Sequence, residues 1–138
     1  MRFVEPGPGV SGIAARRALV VDDSKVMRTI LRRTLEGRGF EVIEAENGRR
    51  ALERLTMMRI PELALVDWNM PEMNGIELIC ELRRDPNYDA MLVMMVTTET
   101  ETEQVQRALN AGANEYVMKP FSEDILSDKL SMLGFEAP

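Results

Sequence analysis

A chain of 138 residues with 45% hydrophobic and 29% charged residues has the composition of one ordinary globular domain, long enough to bury a core without disulfides or metal staples. Its net charge of −6 argues against a nucleic-acid binder, whose affinity rests on Lys and Arg, and turns attention to a protein partner or a cation. Cys80 is the only cysteine, histidine is absent, and no apolar run approaches the roughly 18 residues of a membrane span, so disulfides, histidine-based catalysis and a membrane segment are all excluded and a cytoplasmic protein is expected.

Residues 1–16 carry Pro6, Gly7, Pro8, Gly9 and Gly12 and few large apolar side chains, the composition of a flexible tail. An apolar run at 18–21 then stops at Asp22 and Asp23, and Ser24 is placed to cap a helix with Met27, Ile30, Leu31 and Leu35 inward, ended by Gly37 and Gly39. A second strand is expected at 40–45, and Asn47 caps a second helix with Ala51, Leu52 and Leu55 inward. The third strand, 63–67, delivers Asp67 at its tip. Trp68 follows in the loop and has no evident core role, and Pro71 and Gly75 shape that loop before a helix with Ile76, Ile79 and Leu82 inward.

Asp85 and Pro86 break that helix, and a fourth strand at 91–96 ends in Thr97 and Thr98. Thr100 and Glu103 have capping-box spacing for a fourth helix carrying Val105, Ala108 and Leu109 and ending at Gly112. A short strand at 115–118 ends at Lys119 and Pro120. A last helix at 122–133 has Leu126, Leu130 and Leu133 as its inner stripe. Cys80 reads as a small buried residue on a helix, and most of the eleven methionines read as core filler.

Strict alternation of five strands and five helices predicts an α/β fold with a parallel sheet covered on both faces by right-handed crossovers. Every strand tip on one edge except the second presents polar groups: Asp22 and Asp23, Asp67, Thr97, Lys119. Ligands gather at the carboxyl ends of the strands in such sheets. Three carboxylates there repel one another unless a hard cation such as magnesium relieves them. A carboxylate beside magnesium and a lysine is in turn a suitable phosphoryl acceptor, with Asp67 as nucleophile and the Thr97 hydroxyl offered to a phosphoryl oxygen.

The Asp22–Asp23 pair, LVDWNMPEMNG from Leu65, MVTTE from Met95 and EYVMKPF from Glu115 together resemble the response regulator receiver domain of bacterial two-component systems, in its stand-alone, CheY-like chemotaxis form. The resemblance covers 17–133, leaving 1–16 and 134–138 as tails, and it implies a flavodoxin-like doubly wound sheet of order 2-1-3-4-5. It further implies that Asp67 is phosphorylated by a histidine kinase, that Asp22, Asp23, Asp67 and the backbone carbonyl of Asn69 hold Mg2+, that Lys119 contacts the phosphoryl group, and that Thr97 and Tyr116 form the switch. The Lys119–Pro120 bond is expected to be cis.

Thr98 stands where a smaller residue is commoner in the family, which restricts access to the phosphoryl group, whereas Asn69 and Glu99 have the polar character of fast-dephosphorylating chemotaxis regulators. The protein target is expected on the face built from the fourth helix, fifth strand and fifth helix; here that face opens acidic, with Glu99, Glu101 and Glu103, and a target other than the usual motor protein follows. A monomeric signalling module is expected, binding neither nucleic acid nor membrane and catalysing only its own phosphoryl transfer and dephosphorylation. The alternatives are a phosphate sink in a phosphorelay and, from a different class, a small-molecule aspartyl-phosphate hydrolase; the latter places Asp-x-Asp on its first strand and adds a lid, whereas Asp22 and Asp23 are adjacent.

Overall fold

The computed structural model describes residues 16–99 and 101–136. Strands and α-helices alternate throughout: β1 Arg16–Val21, α1 Lys25–Glu36, β2 Phe40–Ala45, α2 Gly48–Leu55, β3 Leu63–Val66, α3 Gly75–Arg84, β4 Leu92–Thr97, α4 Thr102–Ala111, β5 Glu115–Met118 and α5 Glu123–Met132. All strands pair in parallel in the order β2-β1-β3-β4-β5. This is the doubly wound order that the sequence resemblance implies.

Side chains of a strand alternate across the sheet, and here both sides are covered. Leu19, Val21, Ala64, Val66, Val93 and Met95 face a layer containing Ala51, Leu55, Leu78, Ile79, Leu82 and Ala108. Ala18, Val20, Leu63, Leu65, Met94 and Val96 face the opposite layer with Leu31, Leu35, Leu126 and Leu130. Burial on both faces is why β1, β3 and β4 read as continuous apolar runs rather than as alternations.

Several expectations need correction. Arg16 belongs to β1 and not to a tail: it pairs in register with Phe40, its guanidinium lies 5.7 Å from the ring centroids of both Phe40 and Phe135, and it donates to the Glu136 carbonyl at 2.7 Å. The same contacts, with Arg38 donating to the Phe135 carbonyl, fix 135–136 against the domain, so the expected C-terminal tail is docked over those residues. Residues 1–15 and 137–138 lie outside the described residues.

On the helices, Ile30 (43% exposed) faces outward rather than inward, because Leu31 takes the position against the sheet; on α4 Ala108 is buried and Leu109 (40%) exposed, and Leu78 joins the inner stripe of α3. Cys80 is half-buried, and Met57, Met118 and Met132 are exposed, while Met70, Met91, Met94 and Met95 fill the core as expected. α4 begins one residue later than the capping-box spacing predicts. Glu101 holds extended backbone in the N-cap position, its carbonyl accepts the Val105 N–H at 3.0 Å, and Glu103 falls within the first turn. Thr100, the expected cap, lies outside the described residues.

Candidate functional site

The sheet ladder continues one residue past β1 and β3, and this brings two acids level. Asp22 N–H donates to the Ala45 carbonyl at 3.1 Å and Asp67 N–H to the Val21 carbonyl at 2.8 Å, so both carboxylates leave the carboxyl edge side by side. Lys119 is tied to the next tip by its own N–H, 2.8 Å from the Thr97 carbonyl, and the Lys119–Pro120 bond is cis, as expected. Gly75 lets the loop after Asp67 fold back onto the tip: its N–H donates to the Trp68 carbonyl at 2.9 Å, and a Cβ there would lie 2.3 Å from the Asp67 carbonyl oxygen.

The geometry brings Asp22, Asp23 and Asp67 together, with one carboxylate oxygen of each within 4.8 Å of the others. Asp22 is 1% exposed and Asp67 7%, while Asp23 opens to solvent. The Lys119 ammonium sits between the two buried acids, 2.9 Å from Asp22 Oδ2 and 3.5 Å from Asp67 Oδ1. Burial, and secondarily the Asp22 charge, push the Asp67 carboxyl above its ordinary pKa, with Lys119 and the Trp68 N–H opposing. A set of hard oxygen donors crowded at this distance fits a divalent cation of the magnesium or calcium type, which would relieve the repulsion that one lysine balances only in part.

Thr97 is fully buried at the tip of β4 and its Oγ1 accepts the Glu99 N–H at 3.4 Å. Tyr116 points into the core layer and donates its hydroxyl to the Glu99 carbonyl at 2.5 Å; burial, then the Glu99 charge, push its pKa up to about 12. Asn69 is exposed and donates its side-chain amide to Glu99 Oε2 at 3.1 Å, bridging the loops after β3 and β4. Thr98 is exposed. Trp68 is a correction. Far from lacking a core role, it is 8% exposed within the core layer, with the Arg107 guanidinium of α4 over its ring at 5.5 Å.

The family model for the response regulator receiver domain matches residues 18–131. The chain belongs to this family. The receiver domain is 45% identical over 115 residues to a chemotaxis protein CheY homolog of Campylobacter jejuni, covering 83% of this chain and 88% of that one. It is 42% identical over 118 residues to chemotaxis protein CheY1 of Helicobacter pylori, covering 85% and 95%. Among solved structures, chemotaxis protein CheY4 of Vibrio cholerae superposes with a TM-score of 0.80 at 34% identity, covering 86% of this chain and 98% of that one. The protein is therefore a CheY-like response regulator of two-component signalling, chemotaxis type.

Two groups that touch this receiver domain's acidic edge carry no local sequence signal. Arg28 donates to the Asp22 carbonyl at 2.7 Å while held by Glu44, 16 positions away, and Arg107 reaches Trp68 from a different element. Helical spacing marks Arg28 only as another residue on a charged face. No described helix is long and apolar enough to cross a membrane.

Proposed function

We propose that this protein is a response regulator whose receiver domain is phosphorylated on Asp67 by a histidine kinase and signals by phosphorylation-dependent protein binding. The observation that carries the reading is the placement of a buried carboxylate, Asp67, within 4.8 Å of two further acids and 3.5 Å from Lys119. Asp22, Asp23, Asp67 and the Asn69 carbonyl would hold Mg2+, and a bound magnesium ion supplies charge neutralisation for the transferring phosphoryl oxygens.

The Asp67 carboxylate oxygen attacks the phosphorus of the kinase phosphohistidine. A P–O bond forms, the P–N bond breaks, and the imidazole leaves with that electron pair and takes a proton from solvent. Lys119 holds a second charge against the phosphoryl oxygens, and Thr97 presents its hydroxyl to one of them. Thr97 and Tyr116 then act as the switch, and the target is a protein on the α4–β5–α5 face of a cytoplasmic monomer; phosphate-sink behaviour would show as phosphorylation without any target binding.

Incubation with acetyl phosphate or phosphoramidate, with and without Mg2+, followed by intact mass, tests the reading. A phosphoryl adduct that needs both the metal and Asp67 is expected. No adduct, with hydrolysis of many phosphomonoesters instead, would overturn it in favour of a hydrolase.

A further inference from the structure

We infer that Arg28, aimed by Glu44, is a positioning residue for the acidic cluster: it holds the Asp22 backbone carbonyl and through it the direction of the Asp22 carboxylate. This rests on the reading of Asp22, Asp23 and Asp67 as a cation site.

The Arg28 side chain is 14% exposed and lies between α1 and β2. One guanidinium nitrogen, Nη1, donates to the Asp22 carbonyl at 2.7 Å, and Nε donates to Glu44 Oε1 at 2.9 Å. Glu44 is itself fixed, since its other oxygen accepts Arg32 Nε at 2.6 Å. A rigid planar fork committed at two points has little freedom left, so the carbonyl it holds is fixed as well. The rest of Asp22 is held in the same manner: its N–H by the Ala45 carbonyl, Oδ1 by the Ser24 N–H at 2.9 Å, and Oδ2 by Lys119 at 2.9 Å. Arg28 closes this set at the carbonyl, and Glu44 offsets the charge it brings near a site that must attract a cation.

That charge separates two explanations. If Arg28 acted only through its field, removing it would strengthen binding of a divalent cation, since one positive charge leaves the neighbourhood. If it acts by position, removing it weakens binding despite the favourable charge change. Arg32 supplies the control: it shares Glu44 and also stitches α1 to β2, donating to the Val42 carbonyl at 3.1 Å, but its bonds go to Glu44, Glu36 and Val42 and not to Asp22.

The test is titration of the full chain with MgCl2, read by Trp68 emission and by calorimetry, on wild type, Arg28→Met, Arg28→Lys and Arg32→Met, with a melting curve for each. Both Arg28 variants are expected to raise the Mg2+ dissociation constant about 10-fold, the low end of the loss seen when a partner that orients a metal ligand is removed. Arg28→Lys keeps charge and stem and guards against a Met variant that fails to fold; Arg32→Met, which loosens Glu44 but leaves the Arg28 bond to the Asp22 carbonyl, is expected to lower the melting temperature and to raise the dissociation constant clearly less than Arg28→Met does. An unchanged or smaller constant for Arg28→Met, or an Arg32→Met variant weakened as much as Arg28→Met, overturns the inference. A wild-type chain with no saturable Mg2+ response overturns the cation-site reading itself, and the inference with it.

Discussion

Replacing Asp67 by Asn tests how the acidic cluster is balanced without metal. Taking an effective dielectric near 20, Lys119 at 3.5 Å attracts the Asp67 charge by about 5 kcal/mol and Asp22 within 4.8 Å repels it by about 3.5 kcal/mol. Asp23 faces water and adds only about 1 kcal/mol of repulsion. These charge terms nearly cancel, so what Asn relieves is chiefly the burial of a charged group, and this matches burial as the main cause of the raised Asp67 pKa. Like-charge repulsion alone, the simplest expectation from three adjacent acids, is not the controlling term once Lys119 is in place.

The expected gain in chelator at neutral pH is about 1–2 kcal/mol, a usual size for a stabilising substitution, which corresponds to a melting temperature higher by about 3–8 °C. The sign with pH follows from the raised folded-state pKa. An ionised Asp67 destabilises the fold above that pKa, and the penalty fades as pH falls toward the unfolded value of about 3.9, below which both states are protonated. The Asn variant should therefore lead in a neutral melt and lose its lead in an acid one, and added Mg2+ should close the gap by stabilising wild type through binding. An Asn variant that melts at or below wild type in neutral chelator, or a lead that persists undiminished below the unfolded value of about 3.9, would refute the balance.

Other consequences are sharper in kind than in size. Trp68 emission should change saturably with Mg2+ or beryllofluoride, and Arg107→Ala should red-shift it and cost about 0.5–1 kcal/mol by removing the guanidinium from the ring; a spectrum indifferent to both would count against the placement of the indole. Gly75→Ala puts a Cβ 2.3 Å from the Asp67 carbonyl oxygen, so a loss of about 1–3 kcal/mol with a weaker Mg2+ response is expected, and unchanged melting would show that the loop yields freely. Tyr116→Phe should cost about 1 kcal/mol at neutral pH through the lost bond to Glu99. Because burial holds the Tyr116 proton up to about 12, wild type should lose stability as pH rises from about 10, the unfolded value, and the Phe variant should lose less; parallel alkaline curves would contradict this.

The sequence makes Asp22, Asp67, Thr97 and Lys119 legible because the rule that finds them is local: an apolar run that ends in a polar residue is a strand tip, and parallel tips share one edge. The same logic misplaces Trp68. Position after Asp67 makes it a loop residue, but the turn closed by Gly75 on the Trp68 carbonyl folds the indole inward. Contacts that join distant segments left no trace in the pattern. Arg28 meets Glu44 across 16 positions and Arg16 meets Glu136 across 120, and in each case an arginine on a charged surface looks like any other until its partner is placed.

The start of α4 is the point where the site meets a surface able to respond. Ser24, Asn47, Asn74 and Ser122 each cap their helix with a side-chain bond to a backbone N–H, whereas Glu101 opens α4 without one. A missing cap is worth about 1 kcal/mol, so the first turn of α4 should open more readily than the other four. Two positions before that N-cap stands the residue bound to the acidic edge: Glu99 gives its N–H to Thr97, while its carbonyl accepts from Tyr116 and its carboxylate from Asn69. A phosphoryl group on Asp67 that takes the Thr97 hydroxyl competes with the first of these bonds, and the exposed Glu101 and Glu103 ride on the segment released. Hydrogen exchange can check this: the Gln104 and Val105 amides should exchange faster than those of Met27 and Ile125, and beryllofluoride with Mg2+ should change exchange at the α4 start more than at any other. Equal protection at all five helix starts, or a response confined to α1, would place the moving element elsewhere.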